Sequence, residues 1–169
     1  MRVLGFMALA AVCLQGLLGG ITVLYFLPTP VSAAHAGLAQ IFFCLTVAIA
    51  LFTSRGWTAP ASDPVDDRLL RLVATATTAA IYLQIVVGAT MRHSDAGLAI
   101  PDFPLVFGGV FPPQWTAQIA IHYAHRVGAL LVTLAVAATV GHVWHHHARR
   151  TELHRPAMLL ACLVLAQVT

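Results

Sequence analysis

Gly88-Ala89-Thr90-Met91-Arg92-His93-Ser94-Asp95-Ala96-Gly97-Leu98-Ala99-Ile100-Pro101-Asp102-Phe103-Pro104, followed further on by His122-Tyr123-Ala124-His125-Arg126, decides how this chain is built. An apolar segment runs into a polar loop punctuated by glycine and proline, and the next apolar segment carries two histidines and an arginine. Ionisable groups inside a bilayer are costly, so by default they mark a functional site with a partner. Two imidazoles three positions apart share one helix face. In this setting they point to a metal or a haem.

Composition fixes the class. The 169 residues are 59% hydrophobic and 9% charged, with no lysine, whereas a soluble domain carries about 25% charged residues. Four apolar stretches, near 3–27, 33–53, 69–91 and 116–143, are long enough to span a bilayer, which takes roughly 20 residues. A fifth begins near Pro156 and reaches Thr169, too short to cross. These stretches lack the polar face of a soluble helix. The expected fold is all-α, a polytopic transmembrane helical bundle built from repeated helical hairpins, with four full spans plus a truncated fifth. The first stretch is too long for a signal sequence, and Leu27-Pro28-Thr29-Pro30-Val31 offers no small-residue cleavage site, so it stays in the membrane.

Arginine sets the orientation. Arg2, Arg55, Arg68, Arg71, Arg149, Arg150 and Arg155 lie at the starting face or in the second and fourth connections, and the third connection has only Arg92. The positive-inside rule puts the N-terminus in the cytoplasm and the 92–115 loop outside. The net charge of +3 follows from this topology and does not indicate a nucleic-acid partner. Cys13, Cys44 and Cys162 sit in apolar segments without ligand spacing and read as small buried hydrophobes.

A repeat organises the chain. Gln15, Gly19 and Thr22 recur as Gln84, Gly88 and Thr90, and Gln167 with Thr169 starts the pattern again. Each complete unit is followed by an outer loop and a helix with a histidine in its outer half, His35 and then His125. The unit is a helical hairpin. The expected organisation is a first hairpin over 1–53, a cytoplasmic linker over 54–71, a second hairpin over 72–148 with outer loop 92–115, and a cytoplasmic turn with the truncated fifth helix over 149–169. Gln and Gly four apart share a face, and in lipid that combination reads first as helix-packing glue; contact with a cofactor is the other reading.

His35 follows Pro28, Pro30 and Ser32, the expected break and N-cap of its helix, and lies one turn inside. It reads either as a ligand or as an interfacial hydrogen-bonding residue. His125 lies about ten residues into a helix announced by Pro112-Pro113 and anchored by Trp115, which at roughly 1.5 Å per residue puts it within the hydrocarbon. Neutral imidazole suits axial ligation of haem iron because it adds no buried charge. Arg126 beside it needs an anion, for which a haem propionate is a natural partner. His122 reads as a supporting donor, a propionate contact or an alternative ligand. His142, His145, His146, His147 and His154 cluster with Arg149 and Arg150 and read as a solvated, headgroup-contacting end, with metal capture by the His145–His147 run as the alternative. Arg92, His93 and Asp95 read either as a cofactor mouth or as an ordinary polar loop. Asp102 sits in a rigid turn, glycines 97, 108 and 109 permit the chain to fold back, and Phe103, Phe107, Phe111 and Trp115 belong at headgroup level, as a lid or as an aromatic belt.

The run from Gly88 through Pro104, Pro112-Pro113, and His122-Tyr123-Ala124-His125-Arg126 resembles the second half of the haem A synthase / cytochrome c oxidase assembly family. Gln15 through Val23 and on to His35-Ala36-Gly37-Leu38-Ala39-Gln40 resembles that family's third and fourth helices. The resemblance covers nearly the whole chain. It implies two four-helix halves, each holding a haem between paired histidines, and conversion of a haem O ring methyl to the formyl group of haem A. By position His35 and His125 would be iron ligands of the first and second halves, with His122, Arg126 and Arg92 as further cofactor contacts. Haem b is the implied cofactor, haem O and haem A the substrate and product, and membrane lipid, haem O synthase and cytochrome oxidase assembly factors the implied partners. The implied location is the bacterial inner membrane.

The chain departs from that pattern. It starts at the family's third helix and stops inside its seventh, so each histidine is separated from its family partner. The family's acidic residue before its first helical His-Arg has no counterpart, and the catalytic residue stays unassigned. Ile100 and Val106 stand where many members carry loop cysteines, which rules out a loop disulfide. The expectation is a fragment of an oxidoreductase. The alternatives are a haem-binding electron-transfer or haem-carrier subunit, or an inactive fragment.

Overall fold

Proline determines where the first hairpin turns. In the computed structural model, which describes residues 1–58 and 65–168, helix α1 (Arg2–Leu24) closes on the Ile21 carbonyl, and Phe26 and Leu27 turn the chain with φ of 56° and 60°. Pro28 is then extended, with φ −57° and ψ 129°, and serves as the N-cap residue of α2 (Thr29–Thr53). Pro30 occupies the first turn, where its missing N–H removes no helical bond. The expected cap at Ser32 is therefore corrected. Ser32 lies inside α2, buried, its amide donating to the Pro28 carbonyl at 2.9 Å. His35 consequently sits about two turns into the helix rather than one.

A short turn, α3 (Arg55–Thr58), follows Ser54. Helix α4 (Arg68–His93) begins where the Asp67 carboxylate accepts the Leu70 amide at 2.8 Å, a side-chain cap for an otherwise orphaned donor. The loop after α4 holds a 3₁₀ turn (Ala96–Leu98) and a tight reversal in which Val106 and Gly109 exchange backbone hydrogen bonds of 2.8 and 3.1 Å. Phe107 (φ 52°) and Gly108 (φ 77°) occupy the left-handed corner, and the two Asp102 carboxylate oxygens accept their amides at 2.8 Å each. The rigid turn expected at Asp102 thus has a specific cause.

Helix α5 (Ala117–His146) is followed by α6 (Thr151–Val168). The fifth apolar segment becomes helical before Pro156, because the Arg150 carbonyl accepts the Leu153 and His154 amides at 3.1 Å each and an early proline forfeits a single intrahelical bond. Four helices (α1, α2, α4 and α5) are long and apolar enough to cross a membrane, with mean hydropathy of 1.7 to 2.1 in their best windows. Among the described residues no β-strand forms.

The chain divides into two compact units. The first comprises Met1–Pro64 and Ile85–Tyr123, the second Val65–Gln84 and Ala124–Thr169. In the first, Ile100, Val106 and Ile119 bury one another with Ala99 and Tyr123 against them. The two positions at which the resembled family carries loop cysteines thus share an apolar cluster here. In the second, Val136, Val140 and Val143 of α5 pack with Ala157 of α6, and Leu70, Ile81 and Leu160 surround them. Large apolar side chains such as Phe6, Leu72 and Leu131 face outward, as hydrocarbon-facing positions do. Cys13, Cys44 and Cys162 are likewise exposed. This corrects the expectation that they are buried, since in lipid a small apolar side chain has no cause to turn inward.

Between apolar surfaces already satisfied by lipid, polar contacts and close packing hold helices together. Thr77 of α4, buried, meets the Thr139 hydroxyl of α5 at 2.9 Å and the Ala135 carbonyl at 3.3 Å. Thr77→Val is expected to lower stability in micelles by about 0.5–1.5 kcal/mol, read as a shift in the unfolding midpoint. Thr139 would retain its 2.9 Å bond to Ala135, which keeps the loss within that range.

Candidate functional site

In lipid, a glutamine side chain and an imidazole must find partners within the protein, and in this chain they find each other twice. Gln15 of α1 donates through Nε2 to the His35 carbonyl of α2 at 3.1 Å and stands 3.4 Å from His35 Nε2. Gln84 of α4 donates to the His125 carbonyl of α5 at 2.7 Å and stands 3.0 Å from His125 Nδ1. The first pair belongs wholly to the first unit and the second wholly to the second. The glutamine-to-histidine bridge is therefore the physical content of the sequence repeat.

Glycine makes room in both hairpins. A Cβ at Gly19 would come within 3.2 Å of His35 Cε1, and one at Gly128 would overlap the Gln84 amide oxygen. One glycine lies beside the imidazole and the other beside the amide, so the two hairpins reach the same pairing by different substitutions of space. In the first hairpin, Gln15 Oε1, His35 Nδ1 and Ser32 Oγ are buried without a hydrogen-bond partner among the described residues. Ser32 and His35, three apart, share a helix face. Each such atom costs about 1–3 kcal/mol when left unsatisfied, which makes this corner a place that gains from an added donor, acceptor or metal.

His122 has a different task. It is buried, and its Nδ1 accepts the Ile100 amide at 3.3 Å, which ties the loop after α4 down onto α5. Tyr123 continues this attachment, with Trp115 edge-on at 5.5 Å and Phe111 at 6.2 Å between ring centroids. Thr29 donates to the His93 carbonyl at 2.6 Å, joining the start of α2 to the end of α4. Arg92 is exposed at that end, and Arg126 is half-buried beside His125. Of the sequence-predicted residues, the structure brings His35 to Gln15, His125 to Gln84, and His122 to the loop.

The histidines around the end of α5 divide into two groups. His145 and His146 are exposed, whereas His142 and His147 converge on Asp67 Oδ2 at 2.7 and 2.8 Å. The His142 imidazole, the Leu70 amide and the His147 imidazole hold the Asp67 carboxyl well below the usual carboxylate range. Asp67 was not singled out in the sequence. Its only signal there is an Asp-Asp pair before an apolar run, which reads as a helix start, and the five-residue spacing of His142 and His147 does not place them on one helix face.

Because Gly128 gives the Gln84 amide its space, the two positions should be energetically coupled. A double-mutant cycle of Gly128→Ala and Gln84→Ala, read by unfolding in micelles, is expected to give a coupling of about 1 kcal/mol. The alanine displaces the amide only when the amide is present. In the Gln84→Ala background the same alanine should be stabilising, by up to about 1 kcal/mol of helix propensity.

The family described as cytochrome oxidase assembly protein (COX15-CtaA) matches residues 1–169. A protein named heme A synthase from Geobacillus kaustophilus is 29% identical over 159 residues, which cover 92% of this chain and 49% of that protein. Heme A synthase from Symbiobacterium thermophilum is 31% identical over 167 residues, covering 93% and 52%. Heme A synthase from Mesorhizobium japonicum is 33% identical over 153 residues, covering 81% and 39%. The chain thus spans about half the length of the first two and less of the third. Its four apolar helices and this kinship make it an integral membrane protein. With a match running from its first residue to its last, the chain belongs to the COX15-CtaA family of cytochrome oxidase assembly proteins.

Proposed function

We propose that this chain holds haem through His35 and His125, and that it serves haem A synthesis, in which a haem O ring methyl becomes the formyl group of haem A. The observation that carries the reading is the doubled glutamine–histidine bridge, together with relatives named for that synthesis. The donor set fits a haem. Among the described residues His125 Nε2 takes no hydrogen bond, while Nδ1 is held at 3.0 Å by the Gln84 amide. An iron-bound imidazole is ordinarily oriented in this way through its second nitrogen. The same Gln84 nitrogen donates to the His125 carbonyl at 2.7 Å, so it meets Nδ1 as a donor, and ligation through Nε2, which moves the ring proton to Nδ1, would need an acceptor there. In the first hairpin Gln15 stands at the other ring nitrogen, His35 Nε2, at 3.4 Å, and His35 Nδ1 is the buried ring nitrogen without a hydrogen-bond partner among the described residues.

The other residues take supporting roles. Haem b, when bound, supplies the redox chemistry, and the protein supplies position and electrostatics. Arg126, half-buried next to His125, suits an anionic propionate. Arg92 stands at the mouth of the loop. His122, held by Ile100, sets the loop over the outer end of α5. The domain reading follows the hairpins, 1–53 and 72–148, joined by the 54–71 linker. The arginine distribution supports an N-terminus on the cytoplasmic side of a bacterial inner membrane. Haem O and haem A are the proposed ligands in turnover, with haem O synthase and oxidase assembly factors as the proposed protein partners.

A second reading is favoured by one observation. No Asp or Glu lies within the four candidate spans, so the chain offers no membrane-embedded carboxylate as a proton acceptor. Haem binding or electron transfer without chemistry of its own is the role that this feature supports.

Titration of the purified full chain with haemin is expected to give a saturable Soret shift with low-spin character. His125→Ala should reduce binding at least tenfold, and an unchanged spectrum in that variant would overturn the assignment. Co-expression with a haem O source separates the two readings: formyl-bearing haem supports synthesis, and bound haem without any formyl product supports the carrier.

A further inference from the structure

We propose that Asp67, His142 and His147 form a binding site for a divalent transition-metal ion, where α4 begins and α5 ends. The inference does not depend on haem. Among the described residues this is a group of three candidate ligands whose donor atoms lie within 4.8 Å of one another. Asp67 immediately precedes α4, His142 lies near the end of α5 and His147 immediately follows it, and all three belong to the second unit. Their side chains are 20%, 12% and 14% exposed for Asp67, His142 and His147. The site is therefore largely shielded from solvent and still reachable.

The geometry is that of a site whose ligands currently bond one another. Both imidazole Nε2 atoms point at the same oxygen, Asp67 Oδ2, at 2.7 and 2.8 Å. Ligand atoms of a tetrahedral ion with bonds of about 2.0–2.2 Å stand about 3.4 Å apart. Each contact needs to open by about 0.6 Å to admit the ion, within the reach of side-chain rotation. The supporting contacts are already in place. Asp67 Oδ1 accepts the Leu70 amide at 2.8 Å, the His142 ring stacks on His146 with centroids 4.3 Å apart, and His154 Nε2 reaches the His147 carbonyl at 3.1 Å. Such outer contacts orient metal ligands and resist their displacement.

The chemistry of the donors selects the ion. Two neutral imidazoles and one carboxylate suit zinc or a similar divalent transition metal, and leave a fourth position for water. Magnesium and calcium favour all-oxygen sites, and cuprous ion favours sulfur. Two of the nearby arginines pair with other carboxylates: Arg71 with Asp66 at 2.9 Å, and Arg150 with Glu152 at 3.4 Å. A bound ion would tie the start of α4 to the end of α5 and stabilise that end by mass action.

The test uses tag-free full chain in micelles, with zinc alone followed by calorimetry and cobalt as a spectroscopic probe. One equivalent of zinc should bind, and cobalt should give a saturable visible band of tetrahedral intensity. Asp67→Asn, which retains helix-capping ability, and His147→Gln should each weaken zinc at least tenfold. The variant His145→Gln should bind as wild type. The cobalt band on the unaltered chain needs no variant to fold, and its absence overturns the proposal. So does unchanged zinc binding in Asp67→Asn, which would leave the cluster a hydrogen-bonded clamp. Loss of binding in His145→Gln would also overturn it, by assigning zinc to an exposed imidazole.

Discussion

The hydrogen bond from a glutamine amide to the backbone carbonyl of a histidine on the next helix is the contact on which this structure depends. Inside hydrocarbon an amide left without partners is costly, so once Gln15 and Gln84 are placed mid-helix they must reach across. What they reach is the histidine itself, at its carbonyl and at one ring nitrogen. This fixes the rotation of α2 against α1 and of α5 against α4 at those two positions. It also aims each imidazole. Glycine completes the arrangement at Gly19 and Gly128, where any side chain would occupy the space of the ring or the amide.

Packing elsewhere follows from the same solvent. The apolar faces need no burial, and large side chains and all three cysteines lie outward. Buried positions hold small or branched residues and a few hydroxyls, such as Thr77 with Thr139. The loop between α4 and α5 is an exception built like a small soluble core. Ile100, Val106 and Ile119 exclude water from one another, and Asp102 fastens the reversal at Phe107 and Gly108. His122 joins that core to α5 through the Ile100 amide.

Much of this could be read from the residues. Segment length and the scarcity of charge gave the spans to within a few residues, because a bilayer imposes a length and tolerates few ions. The glutamine–histidine repeat was visible as a pattern, although its reading as packing glue did not foresee that the histidine was the partner. Ser32 was misread as a cap because serine ordinarily competes well for that place, and two prolines overrode it by presetting the turn. Asp67 escaped notice because its partners lie 75 and 80 residues away, and no local spacing encodes a contact between the two ends of a hairpin.

The proposed haem ligation rests on nitrogen meeting iron, and that bond can be observed directly. Full chain produced with ¹⁵N-labelled histidine and loaded with ferric haem should show hyperfine coupling between the low-spin iron and a histidine ring nitrogen. Haem bound without any histidine nitrogen coupled to its iron would contradict the account.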